Sequence, residues 1–339
     1  MKAATVISPK NLKIGEVPLP EVTRADEVLI KVKAAGICGS DIHIYHGTNP
    51  VATYPRVIGH EFAGEVVETG RGITDLSPGD HVVVDPVMSC GHCYPCSIGR
   101  PNVCSHLQVL GVHVDGGYRE YVVVPRKNVH KISPEISWEE AALVEPFTIS
   151  AQVVSRAAIT ARDTVFLMGA GPMGLCLLQA IKRVGAKCFV SDLMERRLEK
   201  AREMGADLII NASTQDVSKA IMEETGGEGV PVVIDAVGLP QTLEQAVRLA
   251  CPAGRVIVLG LTVEPSPIPQ LEITKKELDV RGSRLSNNKF PTVIEWFNRK
   301  EVRPMAIVSH IFPFPDIHKA FEQVENRPQE TYKVILRFD

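Results

Sequence analysis

A β-type run, TVFLM from Thr164, leads straight into Gly169-Ala170-Gly171-Pro172-Met173-Gly174. The following LCLLQAIKRVG carries apolar residues at helical spacing. A strand, a glycine-rich turn and a helix joined this tightly leave few folds open, because they build a βαβ unit on a parallel sheet. Cys188-Phe-Val-Ser191 reads as a second strand and stops at Asp192, 18 residues past the last glycine. In that setting Gly169 makes the tight turn, Gly171 admits a pyrophosphate, and Gly174 lets helix and strand pack. Pro172 and Met173 open the helix, whose N-terminus faces the phosphates. Asp192 can accept hydrogen bonds from the adenosine ribose hydroxyls and would repel a 2′-phosphate, so NAD is expected rather than NADP. Arg196 and Arg197 follow closely; they are either cations on the cofactor side, which tempers that preference, or solvated helix residues.

The α/β alternation continues through MERRLEKAREMG, LIIN, a helix near 215–225, VPVVIDAVG, TLEQAVRLA and GRVIVLGL. About six strands ending near residue 285 predict a complete doubly wound sheet. The chain has 339 residues, enough for about two domains of ordinary size. Its net charge is −3 and it carries no basic stripe, which argues against a nucleic-acid partner. No apolar run reaches the ~18 residues that span a bilayer, and the N-terminus lacks a secretory signal, so the cytoplasm is expected. Eight cysteines are many for a reducing compartment and need a purpose other than disulfides.

Before the sheet, AATVIS, EVLIKVKAAG, GEVVE and DHVVV are short β-type runs broken by Gly and Pro. They predict a compact all-β unit up to about residue 125. Within it, Cys90, Cys93, Cys96 and Cys104 are spaced by two, two and seven residues. Four thiolates so spaced can surround one tetrahedral Zn²⁺ and fill its coordination sphere, which makes a closed, structural site. The stretch Gly36 to Glu61 offers Cys38, His43, His60 and Glu61, flanked by glycines. Thiolate, imidazole and carboxylate are a zinc ligand set, and a further ligand must come from farther along. Glu145-Pro146 interrupts a helical run, so Glu145 is expected at a break, either solvated or paired or metal-bound. Cys176 and Cys188 read as core, Cys251 as structural and His81 as a surface or structural histidine. The tail TYKVILRF is strand-like and is expected to return to the first domain.

Gly36-Ile-Cys38-Gly-Ser40-Asp41-x-His43, Gly59-His60-Glu61, the four-cysteine run, Glu145-Pro146 and the glycine turn together resemble the zinc-containing medium-chain dehydrogenase/reductase family, over essentially the whole chain. VMSCGHCYPCSIGRPNVC, VLGVHVDGG and EPFTIS resemble its bacterial starvation-sensing RspB-type branch, which acts on hexonates such as L-gulonate. The resemblance implies an α/β architecture: a GroES-like β-rich catalytic domain over 1–153 with a zinc lobe at 86–108, a Rossmann NAD-binding domain over 154–288, and a return to the catalytic domain over 289–339. It implies two zinc ions per chain. The catalytic one would be held by Cys38, His60 and Glu145, with Glu61 as an alternate ligand and Asp41 orienting His60. It implies that the substrate hydroxyl gives its proton to Ser40, that His43 carries it to solvent, and that NAD takes the hydride. Arg284 matches a family arginine near the substrate; a guanidinium suits a sugar-acid carboxylate, and a phosphate or structural contact stays open. Relatives are dimers or tetramers acting on sugar acids, polyols or threonine, so a homodimer or homotetramer is expected.

Overall fold

The computed structural model describes all 339 residues, which form two compact units. One comprises 1–148, 285–300 and 307–339; the other comprises 149–284 and 301–306. The junctions therefore fall at 148/149 and 284/285, a few residues before those read from the sequence, and 301–306 side with the second unit.

The first unit is built on a seven-stranded sheet. Glu27–Ile37 lies at its centre, paired antiparallel with Glu61–Thr69, Tyr121–Pro125 and the C-terminal strand Lys333–Arg337. Its burial alternates little, because both faces are covered: Val28, Ile30, Val32, Ala34 and Ala35 are all fully buried. The register sets Gly36 opposite Glu61 and Ile37 opposite Val334. Residues from three distant parts of the chain thus meet at one sheet end. A smaller sheet joins Lys2–Ser8 to Asn11–Glu16 and Arg56–Val57. The antiparallel pair Val87–Met88 and Gln108–Val109 closes the base of the four-cysteine lobe.

The unit is not all β, since Gly39–His46 is a helix. Glycine at its first position and flanking glycines disguise it in sequence as a turn. What starts it is a reciprocal cap: Cys38 precedes the helix in extended conformation, and Asp41 Oδ2 reaches back to accept from the Cys38 backbone N–H at 2.9 Å. The break expected at Glu145-Pro146 lies two or three residues earlier, between the helices Trp138–Ala141 and Val144–Ala157. Pro146 falls in the first turn of the second helix, where its missing N–H costs nothing.

The second unit holds a six-stranded, all-parallel sheet. Its order is Leu208–Asn211, Lys187–Asp192, Thr164–Met168, Val230–Asp235, Ala250–Val258, Asp279–Gly282. In chain order that is 3-2-1-4-5-6, the doubly wound arrangement whose strand ends bind dinucleotides. Cys176 and Cys188 are buried in this unit, as expected of core cysteines.

Candidate functional site

Cys38, His60 and Glu61 converge in the first unit, with one ligand atom of each lying within 4.8 Å of the others. Cys38 caps the helix Gly39–His46, while His60 and Glu61 lead into the strand Glu61–Thr69. The donor set suits Zn²⁺, and buried His60 Nδ1 has no hydrogen-bond partner in this arrangement. Asp41 is fully buried and faces that nitrogen at 3.6 Å. The carboxylate accepts from three groups: Cys38 N at 2.9 Å, Gly59 N at 3.2 Å and the Tyr118 hydroxyl at 2.8 Å. Burial alone would push the His60 imidazole down, but Asp41 and the Cys38 thiolate outweigh it and hold the ring well above its ordinary range. Without a metal, then, this site draws in positive charge. A dication bound by a thiolate, a neutral imidazole and a carboxylate satisfies the same demand.

Glu145 is not a member of the close trio, yet it belongs to the same electrostatic neighbourhood. It is 6 % exposed, which rules out the solvated helix-end reading. Burial pushes its carboxyl up to about 8; Glu61 and Asp85 add to this, against His60 and Lys333. Glu61 is paired with Lys333, whose Nζ donates to Glu61 Oε1 at 2.6 Å and to the Ile37 carbonyl at 3.1 Å and also touches Glu61 Oε2. Lys333 is 3 % exposed. The Glu61 carboxylate occupies room left by Gly36, where a Cβ would meet Oε2 at 2.2 Å. Neither Lys333 nor Tyr118 was singled out from the sequence. A lysine inside an apolar strand was the available signal, since lysine is almost never buried unpaired.

Ser40 stands on the first turn of the capped helix, half-buried, with Oγ 3.5 Å from His60 Nε2. His43 lies almost one turn further on and is exposed; its Nδ1 meets Thr48 Oγ1 at 3.0 Å. Ser40 and His43 are three positions apart on this helix and so share one face.

The four sulfurs of Cys90, Cys93, Cys96 and Cys104 form a second cluster. Neighbouring sulfurs are 3.4–3.6 Å apart. That is far beyond a disulfide bond and close to the ~3.8 Å edge of a tetrahedron with Zn–S bonds of about 2.3 Å. Backbone N–H groups point at the sulfurs, from Cys90 and His106 to Cys104 and from Ser105 to Cys93. The Ser105 bond, with one from Cys96, brings the Cys93 thiol down, while burial and the neighbouring Cys93 sulfur push Cys96 up, so without a metal the cluster shares its protons unevenly.

In the second unit Gly169 has φ +100°, a conformation suited to glycine. A Cβ on Gly174 would meet the Gly169 carbonyl oxygen at 2.0 Å, so the turn closes only without one. At Gly171 a Cβ would meet nothing nearer than Arg197 Nη1 at 3.8 Å, which leaves this glycine open to a ligand. Pro172 and Met173 begin the helix Pro172–Val184. Asp192 ends its strand, with Oδ2 accepting from Ala170 N at 2.8 Å and Oδ1 from Met194 N at 2.9 Å. Arg197 lies 4.0 Å from Asp192 Oδ2, beside the turn. Arg284 is exposed just beyond the strand Asp279–Gly282. His81 stacks on Trp138 at 4.0 Å, a structural contact.

Residues 24–134 match the alcohol dehydrogenase GroES-like domain, and residues 172–299 match the zinc-binding dehydrogenase domain. The starvation-sensing protein RspB of Escherichia coli K12 is 46% identical over 340 positions, covering 100% of this chain and 99% of that protein. An L-galactonate-5-dehydrogenase of the same organism is 35% identical, with 97% of each chain covered. A crystal structure of the alcohol dehydrogenase RspB from E. coli CFT073 with NADH matches at a TM-score of 0.95 and 46% identity, over 100% of this chain and 99% of that one. The chain belongs to the zinc-containing medium-chain alcohol dehydrogenase family and is an NAD-dependent zinc oxidoreductase.

Proposed function

We propose that this enzyme oxidises a secondary alcohol of a sugar acid, a hexonate of the L-gulonate kind, with NAD⁺. The observation that carries the reading is the convergence of Cys38, His60 and Glu61 beside Ser40. When bound there, zinc acidifies a hydroxyl and NAD⁺ accepts a hydride. Cys38 and His60 would hold the metal together with a carboxylate from Glu145, or from Glu61 as the alternate ligand. Ser40 takes the substrate proton and His43, exposed and tied to Thr48, hands it to solvent. Asp192 binds the adenosine ribose, and its charge disfavours a 2′-phosphate. Arg284 supplies the guanidinium that pairs with the substrate carboxylate. The similarity to an L-galactonate-5-dehydrogenase supports a sugar acid over a simple alcohol.

The enzyme is proposed to be cytoplasmic, which fits eight cysteines all free of disulfides. No helix is long and apolar enough to cross a membrane. A homodimer or homotetramer is proposed as well. Asp279–Gly282 is an edge strand with Val280 exposed, and the segment before it leaves Leu261 and Val263 at 89% and 97% exposure.

NADH formation, followed by absorbance with hexonates, polyols and L-threonine, tests the reading. The expected result is turnover of L-gulonate or a related hexonate with NAD⁺, at least about tenfold better than sorbitol, weak with NADP⁺ and lost on chelation. Turnover of only neutral polyols or threonine would remove the sugar-acid assignment and the role of Arg284.

A further inference from the structure

Tyr118 is fully buried, but its hydroxyl ends among the residues that hold the trio Cys38, His60 and Glu61. It lies 2.8 Å from Asp41 Oδ2 and 2.9 Å from the Gly36 carbonyl oxygen. Its ring lies against Gly59, the residue before His60: a Cβ there would meet Tyr118 Cδ1 at 2.2 Å. The Tyr118 backbone N–H donates to Ile58 O at 3.0 Å, so ring and backbone both brace the segment that delivers His60. Asp41 has two oxygens with separate tasks. Oδ2 is held by Tyr118 and the Cys38 N–H, while Oδ1 accepts from Gly59 N and faces His60 Nδ1.

We infer that Tyr118 is a positioning residue for the catalytic metal: by fixing Asp41 through Oδ2 it aims Oδ1 at His60 and so sets how firmly the other imidazole nitrogen binds zinc. The inference rests on the site read above, with Cys38 and His60 as ligands. A ligand histidine is oriented and made more basic by the carboxylate behind it, and loss of such a partner typically costs 10–100-fold in metal affinity. Here the carboxylate is itself buried, so its orientation is no better than its own partners make it. Tyr118→Phe removes the hydroxyl and keeps the ring that fills the space under Gly59.

The test is zinc occupancy of the full-length protein under competition with a chromogenic chelator, for wild type, Tyr118→Phe, Asp41→Asn, the double variant and Cys38→Ser. The four-cysteine zinc serves as an internal reference in every variant. The expected result is a catalytic zinc bound about tenfold or more weakly in Tyr118→Phe, with the lobe zinc unchanged. The double variant should bind no more weakly than Asp41→Asn, because both changes break one chain of contacts. A merely structural tyrosine would lower the melting temperature and add its effect to that of Asp41→Asn, and that outcome overturns the inference. So does wild-type zinc affinity in Tyr118→Phe when Cys38→Ser has lost one zinc. If Cys38→Ser keeps both zinc ions, the site reading fails and takes the inference with it.

Discussion

Lys333 and Glu61 show how a single pair constrains this site. Both are at most 3 % exposed, and the lysine gives its protons to the carboxylate and to the Ile37 carbonyl. A buried ion pair contributes little relative to well-packed apolar residues, but breaking it strands a charge. Lys333→Met is therefore expected to destabilise the metal-free protein by about 3–5 kcal/mol. Added zinc should restore part of that loss, since a dication can neutralise the stranded Glu61. Urea denaturation of chelated and zinc-loaded protein measures both quantities; equal losses in the two states would show that Glu61 has no access to the metal. The pair also sets the two buried carboxylates apart. Glu61 has a cation of its own, whereas Glu145 is held near 8 by burial.

At the scale of elements, the short helix Gly39–His46 carries residues of the candidate site, and the four-cysteine lobe gathers four thiols. The helix carries Ser40, Asp41 and His43 within its first five residues, and the cap from Asp41 ties its start to Cys38. The lobe has little regular structure of its own: a four-residue helix, one 3₁₀ turn and a two-residue strand pair at its base. So small a segment buries little apolar surface of its own, and four thiolates on one zinc ion would add to its order. Cys104→Ser is expected to reduce the zinc content from two per chain to one and to open the lobe to a broad-specificity protease such as subtilisin. Elemental analysis and limited proteolysis check this. Two retained zinc ions, or an intact lobe with one, would separate the lobe's order from its cysteines.

For the molecule as a whole, stability should depend on acid in a definite window. His130 stacks on Phe290 at 5.0 Å with the rings nearly parallel. Burial, with Arg126 adding repulsion, brings this imidazole down to about 4 from an ordinary value near 6.5. Between those values the unfolded state of this imidazole binds more protons than the folded one, so the contribution of His130 to stability rises as pH goes from about 4 to 6.5 and is flat above, opposite in sign to that of Glu145. His130→Phe is expected to flatten that limb by at most about 3 kcal/mol while leaving the plateau. Urea midpoints between pH 4 and 8 test it, and a limb of unchanged steepness would assign the acid sensitivity to other groups.

Local rules were enough for much of this protein. A strand, a glycine turn and a helix in succession specify a βαβ unit whatever lies elsewhere, and the sheet has the order that pattern predicts. The cysteine spacings are local too, and the four sulfurs do meet. The helix Gly39–His46 was hidden, because its stability comes from a cap and tertiary packing rather than from helix-forming residues. The roles of Lys333 and Tyr118 were also out of reach. Lys333 is 272 residues from Glu61, and Tyr118 is 77 residues from Asp41. Their partners are chosen by strand register, which brings Gly36 against Glu61 on one side and Ile335 on the other. Short-range sequence thus determined the two kinds of domain and most of the ligand types. Only the tertiary structure decided which carboxylate joins Cys38 and His60 closely and which buried groups hold them there, because those choices depend on contacts between strands distant in the chain.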